Sequence, residues 1–267
     1  AGVLGAWRKV GGRGTTVRRD WEGRLQKSRK KKEFKRLIQG DLPKGWQDVL
    51  NDHKKAISAE APGWATRKAS GEALAVLTGL IPEMIGGSAD LTGSVNTKTP
   101  DTEPVSAGNF KGRYIHYGVR EHAMAAAMNG MALHGGLIPY AGTFLIFTDY
   151  MRGAMRLSAL MNQGVVYVLT HDSIGLGEDG PTHQAVEPLA SLRAIPNFHV
   201  YRPCDGVETA ECWALALERR DGPAAIALTR QGVPTLRVEH ADDNLSARGA
   251  YILAEATGAE RLATILA

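Results

Sequence analysis

Hydrophobic and polar positions follow two alternating patterns along the chain from residue 66 onward. Continuous apolar runs at residues 165–170 and 224–229 are typical of strands that are buried on both faces of a parallel sheet. Segments with apolar residues at helical spacing lie between such runs, as at residues 121–134. The alternation predicts an α/β fold with a mainly parallel sheet flanked by helices.

The remaining elements follow from the same patterns and from the turn residues between them. The predicted strands are residues 84–89, 114–117, 137–140, 165–170, 199–201 and 224–229. The predicted helices are residues 46–59, 70–80, 121–134, 144–161, 185–194 and a helix that Asp205 caps and that runs through Arg219. Ligands of open α/β sheets bind beyond the carboxyl ends of the strands. The residues that follow each predicted strand are therefore the candidate functional residues.

Positive charge is concentrated in the first 55 residues, which hold 16 Lys and Arg against 6 Asp and Glu. Residues 6–37 have a helical pattern that several glycines interrupt, and residues 40–43 break it. The favoured interpretation is a basic helical linker over residues 1–60. Clustered cations also attract nucleic acid. However, no interleaved aromatic platform or binding motif accompanies them, so nucleic acid is the less favoured partner.

The composition limits which classes of protein and which cellular compartments fit the chain. The two cysteines, Cys204 and Cys212, exclude a disulfide scaffold and have no metal-ligand spacing, which predicts free thiols in a reducing, cytoplasmic compartment. No apolar run reaches the ~18 residues of a membrane span, and the first residues lack a signal-peptide pattern. No membrane partner is therefore expected. The missing initiator Met and the apolar last residues favour a fragment of a longer protein.

The loop at residues 171–184 is dense in titratable groups and directly follows a predicted buried strand. These groups are His171, Asp172, Glu178, Asp179 and His183. A catalytic or substrate-binding loop is the favoured interpretation, because histidines and carboxylates can transfer protons near neutral pH. A solvated loop and a metal site are the alternatives, although the spacing of the histidines matches no standard zinc motif.

Two further strand ends carry residues suited to anions. Arg230 follows the strand at residues 224–229, where a guanidinium can bind phosphate or carboxylate or form a surface ion pair. Asp90 and Ser94 lie on a short polar segment with Gly93 after the strand at residues 84–89, which is a weaker indication of phosphate binding.

Glu121 begins a helix that is otherwise rich in Ala and Met. Its carboxylate either complements the helix dipole or, if it is buried, exchanges a proton with a ligand. Phe144, Phe147 and Tyr150 recur on nearly one helical face of a chain that is only 6% aromatic. Core packing and a stacking wall for a planar heterocycle both fit this spacing.

Four motifs together resemble one enzyme family. They are IGGSADLTGS at residues 85–94, YGVREHAMAAAMNG at 117–130, YAGTFLIFTDY at 140–150 and THDSIGLGEDGPTHQ at 170–184. These motifs and their spacing resemble transketolase, a thiamine-diphosphate enzyme. The resemblance covers residues 61–236 as the central pyrimidine-binding domain. Residues 1–60 resemble the linker after a missing diphosphate-binding domain, and residues 237–267 resemble a linker with the truncated start of the C-terminal domain.

The resemblance implies thiamine diphosphate as the cofactor. Glu121 would bond the N1′ atom of the aminopyrimidine ring and favour its imino tautomer, which makes this residue catalytic. Asp90 would lie near the cofactor and the subunit boundary. Phe144, Phe147 and Tyr150 would pack around the aminopyrimidine ring. Mg²⁺ or Ca²⁺ is expected in the full enzyme, with no metal ligand in this chain.

The resemblance also implies sugar phosphates as substrates. His183 would be the second catalytic residue, moving protons on the sugar oxygens, and Asp179 would accept a hydrogen bond from a substrate hydroxyl. The residues implied to hold the sugar phosphate are Arg67, Ser94, His171 and Arg230.

The implied reaction transfers a two-carbon ketol group from a ketose phosphate to an aldose phosphate. It would need the missing diphosphate-binding domain and the second subunit of a homodimer, so this chain would carry half a site and be inactive alone. The alternative within the thiamine enzymes is a deoxyxylulose-phosphate synthase or a 2-oxo acid dehydrogenase β subunit. The alternative outside them is a non-catalytic binding protein that uses the basic segment.

Overall fold

Six parallel strands form one sheet in the order β2-β1-β3-β4-β6-β5. The computed structural model describes residues 2–258, 261 and 263–265. The strands are β1 (Met84–Ser88), β2 (Tyr114–His116), β3 (Ile138–Phe144), β4 (Val166–Thr170), β5 (His199–Tyr201) and β6 (Ala224–Leu228). This confirms the predicted parallel α/β sheet.

Helices precede and separate the strands. They are α1 (Gly2–Gly12), α2 (Thr15–Lys27), α3 (Lys31–Gln39), α4 (Trp46–Glu60), α5 (Thr66–Leu80), α6 (Thr92–Val95), α7 (Glu121–His134), α8 (Thr148–Leu160), α9 (Pro188–Arg193) and α10 (Gly206–Glu218). Among the residues that the structure describes, no helix is both long enough and apolar enough to cross a membrane.

The chain divides into two compact units, the first ending at Leu42 and the second beginning at Pro43. The first unit holds α1 to α3, none of which has a buried residue. Trp21 and Phe34 join α2 to α3 through an edge-on ring contact at 6.0 Å. The predicted helical, basic N-terminal segment is confirmed as helical, while its role as a linker stays a prediction.

Every residue of β3, β4 and β6 is buried, because helices cover both faces of the central sheet. The register pairs Phe144 with Thr170 and Thr170 with Leu228. These three residues are the last of their strands, so the three strands end level with one another. Whatever follows them in sequence emerges at the same edge of the sheet.

Two glycines let β1 pack tightly inside the sheet. A Cβ atom at Gly86 would overlap the ring of Tyr140, and a Cβ at Gly87 would overlap the ring of Tyr117. Glycine in a strand interior often marks such a close approach. Tyr140 is 1% exposed and donates a hydrogen bond from its hydroxyl to the carbonyl of Thr97 at 3.1 Å, so its ring is fixed in place.

Some predicted boundaries are wrong. The strand predicted at residues 137–140 continues to Phe144, because its backbone pairs with β4 from Tyr140 to Phe144. The helix predicted from residue 144 therefore begins at Thr148, after a 3₁₀ turn at Leu145–Phe147. The helix predicted from residue 185 begins at Pro188.

The segment after β6 is irregular yet anchored to α10 by buried charges. Glu211 lies 2.9 Å from Lys54 Nζ and accepts a hydrogen bond from Arg237 Nη1 at 2.7 Å, and all three side chains are at most 5% exposed. Burial opposes the charge on Glu211, but the hydrogen bonds from Arg237, Lys54 and Ser246 prevail and hold its pKa at about 2. The chain beyond β6 is thereby fixed against α4 and α10.

Candidate active site

The site lies at the edge where β3, β4 and β6 end. The N-terminus of α5 is held there by two hydrogen bonds to the residue after β6. Thr66 Oγ1 accepts from the backbone N–H of Thr229 at 2.8 Å, and the backbone N–H of Arg67 donates to the carbonyl of Thr229 at 3.3 Å. Arg67 and Arg230, which are 163 residues apart in sequence, are thereby brought to the same edge.

Glu121 is the first residue of α7 and is 2% exposed. Its Oε1 accepts a hydrogen bond from Thr143 Oγ1 at 3.0 Å. Its Oε2 is buried, and among the described residues it has no hydrogen-bond partner. A buried carboxylate oxygen without a partner is costly, so this oxygen is suited to a hydrogen-bond donor on a ligand. The Glu121 carboxylate lies at the N-terminus of α7, where the positive end of the helix dipole is located.

The three predicted aromatic residues form a continuous cluster. Phe144 and Phe147 stack with ring centroids 5.9 Å apart and planes 8° apart, and Tyr150 lies 6.5 Å from Phe147. Their spacing suggested one helical face. This was wrong, because Phe144 ends β3 and Phe147 lies in the 3₁₀ turn. His183 meets Phe144 and Phe147 edge-on, at 6.0 and 5.3 Å.

His171 connects this aromatic cluster to the charged side chains. It is 2% exposed, has a left-handed backbone (φ 58°) and stacks on Phe144 at 3.7 Å. Its Nε2 lies 4.0 Å from Asp179 Oδ2. Burial and the positive charges of Arg67 and Arg230 lower the pKa of His171 to about 4, against the opposing effect of Asp179. The imidazole is therefore neutral at pH 7.

Two guanidinium groups lie near each other beside His171. Burial lowers the pKa of Arg67, nearby Arg230 acts in the same direction, and Asp179 opposes both. Arg67 Nη1 donates to the carbonyl of Ser94 at 2.9 Å, while Arg230 Nη2 pairs with Glu178 at 2.7 Å. Two neighbouring cations repel one another, and an anion bound between them would relieve that repulsion.

The loop after β4 is anchored at its first carboxylate. Asp172 is 6% exposed, and its Oδ2 accepts a hydrogen bond from Arg202 Nε at 3.0 Å. Arg202 Nη2 lies 3.0 Å from the same oxygen and completes the ion pair. Arg202 directly follows β5, so this ion pair ties the beginning of the loop to the sheet.

Asp90 follows a different strand, β1. It is exposed and left-handed (φ 65°) in the turn after β1, and within the described residues no side-chain hydrogen bond or ion pair holds it. Ser94 takes part through its carbonyl group. Across residues 2–258, 261 and 263–265, no three His, Cys, Asp or Glu side chains converge to hold a metal ion.

The family model described as "Transketolase, pyrimidine binding domain" matches residues 63–235. The chain belongs to the transketolase family. A transketolase from Sinorhizobium medicae is 57% identical over 265 residues, which are 99% of this chain and 38% of the relative. The chain spans about two fifths of the length of the curated transketolases it matches.

Solved transketolases share the fold. A transketolase mutant from Pichia stipitis matches with a TM-score of 0.81 and 41% identity, covering 88% of this chain and 36% of that one. A structure described as "Split gene transketolase, inactive beta4 tetramer" matches with a TM-score of 0.52 and 32% identity, covering 64% of this chain and 53% of that one. The resemblance stated from the four motifs is thus confirmed.

Sequence reasoning missed two residues of this candidate site. Thr143 was not singled out, although it lies within the YAGTF run at the end of a strand, where functional residues are expected. Arg202 likewise follows a strand directly, which is the signal that led to Arg230. The roles assigned by resemblance to the individual site residues stay predictions.

Proposed function

We propose that this chain supplies the aminopyrimidine-binding half of a thiamine-diphosphate-dependent transketolase site. The reaction moves a two-carbon ketol group from a ketose phosphate to an aldose phosphate. The observation that carries this proposal is the buried, unpartnered Oε2 of Glu121 at the edge of the sheet where the aromatic cluster also lies. Membership of the transketolase family supports it.

The residues present fit the aminopyrimidine end of the cofactor. Glu121 Oε2 would accept a hydrogen bond from the ring at N1′ and hold a proton there. Phe144, Phe147 and Tyr150 would pack against the planar ring. When bound, thiamine diphosphate supplies an ylid and an electron sink for the two-carbon group. The part of this chain is to orient the ring and to exclude water from the Glu121 carboxylate.

The charged side chains fit a sugar phosphate. Arg67 and Arg230 would bind the phosphate, because a dianion relieves the repulsion between two guanidinium groups. His171 is neutral and would share a hydrogen bond with the phosphate or with a sugar hydroxyl. Asp179 would accept from a second hydroxyl group. His183, edge-on to Phe144 and Phe147, would transfer protons at the sugar oxygens.

The other half of the site would come from outside this chain. The cofactor diphosphate and its Mg²⁺ or Ca²⁺ would be held by a diphosphate-binding domain, within a homodimer. The match to the pyrimidine domain and the coverage of about two fifths of the relatives support this division. So does the split-gene transketolase, which is described as an inactive β4 tetramer. We therefore expect the 267-residue chain to show little or no ketol transfer on its own.

Calorimetric titration of the chain with thiamine diphosphate and Mg²⁺ tests the proposal. Binding is expected, and Glu121→Ala should weaken it about 10- to 100-fold, because a hydrogen bond to a charged group is lost. Glu218→Ala is the matched control, since Glu218 is exposed at the end of α10 and bonds Gln47. Equal affinity in the wild type and in Glu121→Ala, or no binding by a folded chain, would contradict the proposal.

A further inference from the structure

The two oxygens of the Glu121 carboxylate have different surroundings. Oε1 accepts a hydrogen bond from Thr143 Oγ1 at 3.0 Å, whereas Oε2 has no partner among the described residues. A carboxylate on a flexible side chain can exchange its two oxygens by rotation. A donor fixed beside one oxygen removes this freedom, and it leaves the other oxygen for a ligand.

Thr143 is a rigid donor because the sheet holds it on both sides. It is fully buried and lies in β3, where it pairs with Leu169 of β4. On the other side of β3, Gly142 pairs with Ser88 of β1. The backbone position of Thr143 is thus set by strand pairing, independently of Glu121. In the described part of the chain, its hydroxyl group has one hydrogen-bond partner, which is Glu121.

We propose that Thr143 is a positioning residue, whose hydroxyl holds the Glu121 carboxylate so that Oε2 faces the pyrimidine nitrogen. This inference rests on the proposed function. Hydrogen bonds to charged groups are the stronger ones, so a hydroxyl donor can hold a carboxylate in one orientation. Thr143 touches neither cofactor nor substrate in this role and acts through Glu121.

The test compares the affinity of the full 267-residue chain for thiamine diphosphate and for an analogue with a CH group in place of the N1′ nitrogen. The measured quantity is the ratio of the two dissociation constants in the presence of Mg²⁺. The wild type should prefer thiamine diphosphate. Thr143→Val, which keeps the shape and removes the hydroxyl group, should reduce the preference about tenfold, equivalent to about 1.4 kcal/mol.

Two further variants separate positioning from stability. Thr143→Ser keeps the hydroxyl group and should retain most of the preference, even if the smaller side chain lowers stability. Thr78→Val is the matched control, because Thr78 is also fully buried and donates to the carbonyl of Leu74 at 2.8 Å in α5. It should leave the ratio unchanged. A purely structural role for Thr143 would weaken both ligands equally and would not change the ratio.

The outcomes distinguish the two proposals. A wild type that prefers thiamine diphosphate, together with a Thr143→Val variant that keeps the full preference, would overturn the role of Thr143 and leave the proposed function standing. A wild type with no preference for the ring nitrogen, or with no binding of either compound, would overturn both. If Thr143→Val does not fold, loss of the preference in Thr143→Ser would overturn the positioning role.

Discussion

His171 stacks on Phe144, with 3.7 Å between ring centroids and 27° between ring planes. The two residues stand at the ends of adjacent strands, because Phe144 pairs with Thr170 in the sheet. This stacking joins the aromatic cluster to the groups suited to bind an anion. Two parts of the site that are separate in sequence are therefore one packed assembly.

The pH dependence of stability should report on His171. Its pKa is lowered to about 4 in the folded state, whereas an unfolded histidine titrates near 6.5. Between these values the unfolded chain binds a proton that the folded chain does not, so stability falls as the pH falls from about 6.5 to about 4. His171→Gln should show a smaller fall in the free energy of unfolding, measured with urea at pH 7 and pH 5. His134→Gln, which changes an exposed histidine, is the control. An unaltered pH dependence in His171→Gln would contradict the assignment.

Inorganic phosphate should stabilise the chain through its paired arginines. Because Arg67 and Arg230 are close enough to affect each other electrostatically, a dianion between them relieves repulsion. We expect phosphate to raise the melting temperature of the wild type, and to raise it less in Arg67→Met and Arg230→Met. Arg156→Met, on the exposed face of α8, should respond like the wild type. Sodium chloride at equal ionic strength separates site binding from screening, and an equal response in all four proteins would refute a phosphate site.

Removing Glu211 should destabilise the chain strongly. Glu211→Ala leaves Lys54 and Arg237 buried without their counter-charge, and breaking a buried pair in this way costs about 3–5 kcal/mol. Urea unfolding measures the loss. Glu218→Ala, at an exposed position of the same helix, should change stability by less than about 0.5 kcal/mol. A small effect of Glu211→Ala would mean that the segment after β6 is not anchored by these charges.

Two Gly→Ala substitutions should change the free energy of unfolding in opposite directions. Gly86→Ala places a methyl group against the fixed ring of Tyr140 and should destabilise by about 1–3 kcal/mol. Gly130→Ala, in the middle of α7, meets no atom within 4 Å and should stabilise by about 0.5–1 kcal/mol through helix propensity. Thermal and urea unfolding of the two variants check the signs, and destabilisation by both would show that α7 does not tolerate a side chain at residue 130.

Local pattern was sufficient for most of the fold. The runs at residues 165–170 and 224–229 predicted β4 and β6, because a strand buried on both faces needs an unbroken apolar sequence. The pattern failed at Phe144. A run of aromatic and aliphatic residues around it fits both a strand end and a helix start, and only the pairing with Thr170 decides between them. The local sequence pattern contains no information about which residues of other strands a residue pairs with.

The sequence identified most residues of the candidate site but not the contacts between them. The residues that follow strands, such as His171 and Arg230, were identified because a parallel sheet gathers its carboxyl ends at one edge. The bond between Thr143 and Glu121 was missed, since the two residues are 22 positions apart and the bond depends on how α7 packs beside β3. The resemblance to transketolase supplied the chemical roles, which no local pattern contains.

The unpartnered oxygen of Glu121 lowers the thermal stability of the free chain but is the atom proposed to bind the cofactor. A buried acceptor without a donor lowers stability until a ligand supplies that donor. Directed evolution of this chain for heat resistance alone, without any demand for cofactor binding, should therefore replace the acid at position 121 early. The same selection in the presence of thiamine diphosphate should retain it.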